Sequence, residues 1–283
     1  MSGSVRTWAS AVFPGVVVYP SGEIPELEIR RIAEAVGRLL QRHGAEPAAR
    51  LRIAGPPCMA GPVLIQANLM LNGHAVRVQA VTSGPGDALP LVVRLEQRIV
   101  ALRRPWTPRP WPETGGTQVL AQIHPGALTR RKDVPLVRSS PTAAAAVLDR
   151  MDYEAHLFVD AETGEDAVVH RAGPTGVRIA RQLSVRPPVD TAHGLFTVCP
   201  RVAPTLSEVD AVRRLCEHGL PHLFHIDPDS GRGRLLYRRY DGDLGSVVPV
   251  SQTPYSSRHR VRPASDATAA PLLFGTCRGG SGW

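Results

Sequence analysis

Between Pro25 and His43 apolar residues recur at helical intervals, with Ile29, Ile32, Ala33, Val36, Leu39 and Leu40 on one face and Gly44 stopping the pattern. Ahead of this helix, Gly15–Tyr19 (GVVVY) reads as a short buried strand. Beyond it the period changes to two. Leu51 and Ile53 alternate with Arg50 and Arg52, and Val63, Ile65, Ala67 and Leu69 oppose Gln66 and Asn68. Val76, Val78 and Ala80 oppose Arg77 and Gln79, and Asn72-Gly73 between the last two runs is a two-residue hairpin signal. A second amphipathic helix over Asp87–Arg103 presents Leu91, Val92, Leu95, Ile99 and Leu102. The predicted order is βαβββα: a four-stranded sheet with both helices on its apolar face, leaving a polar, arginine-bearing face open.

The second half contains a tandem repeat. Met151–Arg171 (MDYEAHLFVDAETGEDAVVHR) and Glu217–Arg238 (EHGLPHLFHIDPDSGRGRLLYR) align on His156-Leu157-Phe158 and His222-Leu223-Phe224. Each gives an apolar run, a polar turn, a second apolar run and a basic residue. A predicted helix leads each copy, Pro141–Arg150 in the first and Pro204–Cys216 in the second. One such helix and hairpin is too small to bury a core alone, so the copies are expected to pair, either within the chain or as a homodimer. His156, Phe158, Val169, His222, Phe224, Leu236 and Tyr237 are the candidate association surface.

The fold class is therefore α+β. We expect a leader at 1–14, the βαβββα domain at 15–104 and a Pro/Arg-rich linker at 105–134. The first repeat module follows at 135–185, an exposed Pro-rich connection at 186–203, the second module at 204–250 and a disordered tail at 251–283. PWTPRPWP in the linker cannot form regular structure, because proline lacks the backbone donor and fixes φ.

Composition adds a partner. The formal charge of +8 and pI near 10.0 point to a polyanion, and Lys132 is the one lysine among 33 basic residues. Arginine presents forked donors suited to phosphates. Arg31, Arg38 and Arg42 stack on the first helix away from its apolar stripe, and Arg94 and Arg98 form a similar ladder on the second. With Arg103 and Arg104 they make two tracks fit to straddle a nucleic-acid backbone. Arg50, Arg52 and Arg77 line the open sheet face, where the absence of Phe, Tyr and Trp from the three strands after the first helix favours phosphate contact over base stacking.

Other chemistry finds little support. Cys58, Cys199, Cys216 and Cys277 lie far apart with no CxxC, against a zinc site or a disulfide framework. Gly219-Leu220-Pro221 breaks any helical pairing of His218 with His222 or His225. Asp160, Glu162, Asp227 and Asp229 suit hairpin turns, with no EF-type loop following. No P-loop, nucleophile elbow or HExxH motif appears, so neither an enzyme nor a cofactor or metal is expected. With no signal-peptide pattern and no long apolar run, a cytoplasmic protein without a membrane partner is the simplest reading.

The combination resembles the long form of ribosome hibernation-promoting factors, and more narrowly the dormancy-associated translation inhibitors of actinobacteria. The resemblance rests on RRIAEAVGRLLQRHG at 30–44, RPWPE and TRRKDVPL in the linker, MDYEAHLFVDAETGEDAVVHRAGPTG at 151–176 and EHGLPHLFHIDPDSGRGRLLYRRYDGDLG at 217–245. It covers about residues 15–250. It implies a non-enzymatic bacterial brake on translation, lodged in the small-subunit decoding channel against 16S rRNA and stabilising idle 70S ribosomes. Arg31, Arg38, Arg42, Arg94 and Arg98 are then the first rRNA-facing candidates. The second helix departs from the family pattern, with Leu89-Pro90 at its start and Val100-Ala101 where basic residues are usual. Most long forms carry one C-terminal module, and this chain carries two. The competing reading is a stress regulator that binds DNA or free RNA away from the ribosome.

Overall fold

A computed structural model of the chain describes residues 7–55, 62–82, 84, 87–109, 126–172, 176–189 and 196–250. The protein is mixed α+β, with four helices and three sheets among the described residues. The first sheet has the order β1-β2-β3-β4-β5, formed by Trp8–Ala9, Val16–Ser21, Ala49–Ala54, Val63–Leu71 and His74–Thr82. Strands β2 and β3 are parallel, joined by helix α1 (Glu26–Arg42), and the other pairs are antiparallel. Asn72 and Gly73 turn the β4–β5 hairpin at φ 51° and 75°, the left-handed geometry of a type I′ turn.

Helices α1 and α2 (Leu89–Ala101) bury Ile29, Ile32, Val36, Leu40, Leu91 and Leu95 against Val18, Leu51, Ile53, Ile65 and Val78 of the sheet. Each fully buried Leu or Ile of this layer contributes about 1.5–3 kcal/mol. Helix α2 begins later than Asp87, because Asp87 accepts the Leu89 amide at 3.2 Å while Pro90 occupies the first turn. The sheet also has a fifth strand. Trp8 and Ala9, inside the expected leader, pair with Val18 and Val17, and Phe13 is buried over Gly37.

The second half folds as two facing sheets. The first has the order β11-β10-β9-β8-β7: Phe196–Val198, Val177–Arg181, Asp166–Arg171, Ala155–Asp160 and Arg138–Ser139, covered by helix α3 (Pro141–Arg150). The other has the order β12-β13-β14-β6: His222–Ile226, Gly233–Arg238, Leu244–Pro249 and Leu128–Val134, covered by helix α4 (Glu208–Glu217). Ser140 and Ser207 cap α3 and α4 in the same way, accepting from the amides of Ala143 and Asp210. Helix α4 thus starts at Glu208, four residues beyond the expected Pro204.

The leading strands of the two copies are exchanged. Strand β6 precedes the first copy yet pairs in parallel with β14 of the second. Strand β11 precedes the second copy yet pairs in parallel with β10 of the first. Leu128–Val134, expected to be linker, and Phe196–Val198, expected to be exposed connection, are therefore sheet edges. Residues 110–125 of the linker and the tail at 251–283 lie outside the described residues.

The structural register of the repeat also differs from the alignment on His-Leu-Phe by one residue. Asp160 and Asp227 occupy the same turn position: each accepts the glycine amide four residues on, Gly164 and Gly231, at 2.8 and 2.9 Å. Val159 pairs with Asp166 as Ile226 pairs with Gly233. Leu157 therefore corresponds to Phe224, and His156 to Leu223. Since strand side chains alternate, this one-residue slip exchanges the two faces. Asp166 and Gly233, 67 residues apart, touch each other across the pseudo-twofold, the Gly233 amide donating to Asp166 at 2.8 Å.

Candidate nucleic-acid interface

Helix α1 carries its arginines outward. The side chains of Arg31, Arg38 and Arg42 are 62, 61 and 63% exposed and, among the described residues, pair with Glu28, Glu34 and Glu96. Such solvent-exposed pairs are worth roughly 0–1 kcal/mol and yield readily to a competing phosphate. Glu96 of α2 accepts from both Arg42 (2.8 Å) and His43 (3.1 Å), and Arg103 donates to the His43 carbonyl at 2.8 Å. These contacts bring the C-terminal ends of α1 and α2 together, and Arg103 and Arg104, just past the end of α2, are exposed. Arg42 and Arg103 thus meet where the dipoles of both helices already favour cations.

The second predicted ladder points elsewhere. Arg94 and Arg98 have side chains only 16 and 12% exposed and face Asp152, just beyond α3, at 3.2 and 3.7 Å. Asp152 also accepts from Arg109 at 2.6 Å and from the Gln79 amide at 2.9 Å. Asp149, one turn earlier, accepts from Arg109, Arg171 and the Trp106 indole. Surrounding guanidinium groups hold the Asp152 carboxyl below its usual range against the opposing effect of burial. Burial, then the charge of Arg109, lowers Arg98 to about 10. Arg94 and Arg98 are thereby committed to the contact between the two halves of the chain.

Nor does the sheet's polar face stand open. Gln79 donates through its side chain to the Asp152 carbonyl, Arg150 donates to the Ala75 carbonyl, and Arg52 hydrogen-bonds the Tyr240 hydroxyl. Arg77 lies 5.1 Å from the Tyr153 ring centroid and donates to Asn68. The C-terminal half is laid over this face because it supplies carboxylates, carbonyls and aromatic rings to the arginines. Arg50, Arg52 and Arg77 line a cleft of about 1040 Å³ between the halves.

The association residues divide between two layers. Phe224 meets Leu157, Val168, Leu235 and Leu136 in the apolar layer between the C-terminal sheets. His222 reaches across that layer to His170, with ring centroids 4.8 Å apart. Tyr237 lies on the same side of β13, under the Lys132 ammonium at 5.1 Å. Phe158 and Val169 instead pack beneath α3, and Leu236 beneath α4. His156 stacks on Tyr153 and Phe158. Burial lowers His156 and His222 to about 4, assisted by Arg150 and His170 respectively, so both rings are neutral near pH 7.

Sequence reasoning missed the anchors of the contact between the halves: Trp106, Arg109, Asp149, Asp152, Tyr153 and Tyr240. The D-x-[DE]-[ST]-G turns at Asp160 and Asp227 carried the correct repeat register. No pattern marked Asp149 and Asp152 as sockets for arginines of the other half. Among the described residues no helix is long and apolar enough to cross a membrane, and no three His, Cys, Asp or Glu side chains gather as metal ligands. Cys199 and Cys216 are free thiols.

An N-terminal half of helices and sheet with an exposed arginine row, joined to a paired sheet module, makes this an α+β protein with a cationic helix face of the kind that suits a polyanion. Residues 124–179 match the family described as Sigma 54 modulation/S30EA ribosomal protein C terminus. The chain is 44% identical over 245 residues to the dormancy associated translation inhibitor of Mycobacterium tuberculosis, in strains CDC 1551 / Oshkosh and H37Rv alike. The match covers 84% of this chain and 89% of the mycobacterial protein. The chain belongs to the long-form hibernation-factor family, among its dormancy-associated translation inhibitors.

Proposed function

We propose that the protein is a non-enzymatic, ribosome-bound brake on translation in the bacterial cytoplasm. Its N-terminal half occupies the small-subunit decoding channel, against 16S rRNA, and holds the 70S ribosome idle. The likeness to the mycobacterial dormancy associated translation inhibitor over 84% of this chain carries the reading. The exposed row of Arg31, Arg38 and Arg42 supports it, since forked donors on one helix face suit rRNA phosphates. Arg103 and Arg104 extend the row. Arg94 and Arg98 join it only when Asp152 lets go, so α1 makes the first contact. Blocking is by occupancy, and every phosphate contact adds salt dependence.

The second C-terminal copy supplies from within the chain what a partner's module would supply in a homodimer. The exchanged strands β6 and β11 and the shared apolar layer favour this internal pairing over a dimer of chains. One chain then holds one ribosome. The test is competition on purified small subunits: the protein is expected to displace a bound messenger fragment. Displacement of DNA-bound or free-RNA probes without effect on small subunits would favour the DNA- or RNA-regulator reading. Light scattering across a concentration series is expected to give a monomer, and a stable dimer would overturn the internal pairing.

A further inference from the structure

We propose that the cleft between the two halves is a binding site for a small polyphosphate anion, either a nucleoside polyphosphate or an inorganic oligophosphate. Its position is separate from the α1 arginine row, and the proposal stands independently of the ribosome reading.

The cleft offers about 1040 Å³, just above the roughly 300–1,000 Å³ common for small-molecule sites. Its first wall is the polar face of the N-terminal sheet, with Arg52 and Arg77. Its second wall is the inward face of β6 and β13, with Arg130, Lys132 and Tyr237. Strand β6 alternates so that Arg130 and Lys132 turn inward while Thr129, Arg131 and Asp133 are exposed. A solvent-seeking segment would turn its cations outward; this one turns two of them into a half-buried space.

Three of those four cations lie over aromatic rings, and Arg52 also feels the charge of Asp241. Lys132 lies over the Tyr237 ring at 5.1 Å, Arg52 over the Tyr240 ring at 4.6 Å, and Arg77 over the Tyr153 ring at 5.1 Å. Arg77 also donates to Asn68, a neutral amide. The carboxylates lining the cleft are Glu46, Asp152 and Glu154, and Asp152 is already committed to Arg94 and Arg109. Cation–π contacts fix the positions of these groups without cancelling their charge.

The electrostatic consequence is visible at Lys132. Burial first, and then the charges of Arg130, Arg77 and Arg239, lower it to about 8. Arg239 is answered by Asp241 at 2.7 Å, whereas the charged groups acting on Lys132 among the described residues are all cations. Crowding like charges in a partly desolvated cleft costs stability that an anion there would return. A single phosphate neutralises too little to answer cations on both walls. Several linked phosphates carry charge enough for both walls, and a short chain of them suits this class of site better than a long nucleic-acid strand confined between two sheets.

The test is calorimetric titration of the full chain with tripolyphosphate, a guanosine and an adenosine triphosphate, orthophosphate and a short single-stranded RNA. Saturable binding of tripolyphosphate or the nucleotides is expected, tighter than orthophosphate. Equal affinity for tripolyphosphate and nucleotides identifies the phosphates as the recognised part, while tighter nucleotide binding adds the base. Arg130→Gln/Lys132→Gln on one wall and Arg77→Gln on the other should each weaken binding at least tenfold, and Arg31→Gln should not. Without ligand, Lys132→Gln should melt at the same temperature as the unmodified chain or higher, and the ligand-induced rise in Tm should shrink. RNA binding without nucleotide or tripolyphosphate binding would overturn the proposal. So would undiminished affinity in folded variants of both walls.

Discussion

Arg94 of α2 donates to both carboxylate oxygens of Asp152, at 3.2 and 3.3 Å, across 58 residues of sequence. The contact fastens the helix layer of the N-terminal half to the end of α3. Asp152 has a left-handed backbone at φ 52°, and its counterpart in the second copy is Gly219 at φ 58°. Glycine suits that backbone better. Aspartate there tolerates a less favoured conformation and gains contacts with Arg94, Arg98 and Arg109.

Asp152→Gly is therefore expected to leave the turn intact while releasing the contact between the halves. Removing the carboxylate from a largely buried group of guanidinium ions should cost about 3 kcal/mol. Hydrogen exchange at the Gln79 amide, which donates to Asp152 at 2.9 Å, should accelerate while exchange in the α1 core stays slow. Unchanged protection at Gln79 would contradict the anchoring role of Asp152.

Gly37 interrupts α1 at a position where alanine would ordinarily stabilise a helix by about 1 kcal/mol. A Cβ there would stand 2.3 Å from the Phe13 ring. Gly37→Ala is expected to destabilise by about 1–3 kcal/mol in chemical denaturation, and Phe13→Leu in the same chain should recover part of the loss. A more stable Gly37→Ala variant would show that Phe13 does not hold this place.

Asp160 and Arg181 form an ion pair of 2.5 Å with side chains 0 and 1% exposed. Arg181→Met leaves a buried carboxylate without its main cation and should cost about 3–5 kcal/mol. Asp160→Asn/Arg181→Met should cost less than the single change, which a double-mutant cycle in denaturant measures.

The neutral histidines set an acid limit. His156 and His222 have pKa values of about 4 in the folded chain, against an ordinary value of 6.5. The unfolded chain takes up these protons first. Their contribution is fully present above about pH 6.5 and is lost as pH falls towards 4. At pH 5 the loss is on the order of 2 kcal/mol for each ring. Thermal unfolding between pH 7.5 and 5 should show a falling Tm, and His156→Gln/His222→Gln should flatten that slope.

Local patterns were legible where one element carried its own signal. The α1 stripe, Asn72-Gly73 and the repeated turns could be read directly from residue order. Less legible were relationships that link distant elements. Strand β6 reads as a basic linker segment because its inward positions include Arg130 and Lys132, and only its pairing with β14 gives it a place. His-Leu-Phe occurs in both copies one residue out of structural register, so the longest identical string misassigned the faces. Leu157 and Val168 face the other copy, whereas Phe158 and Val169, which the string aligns as association residues, face α3. The arginine-bearing sheet face looked like a solvent face because a surface awaiting water and one awaiting carbonyls and rings use the same residues.

Ribosome binding through the α1 arginines is decided by sedimentation of the purified full chain with ribosomes at low and high salt, beside Arg31→Glu/Arg38→Glu/Arg42→Glu. Co-migration with small subunits and 70S particles is expected, weakened by salt and lost in the charge-reversed protein, with no ribosome-dimer peak. Protein that stays at the top of the gradient at low salt, or a charge-reversed protein that co-migrates as well as the parent, would contradict it.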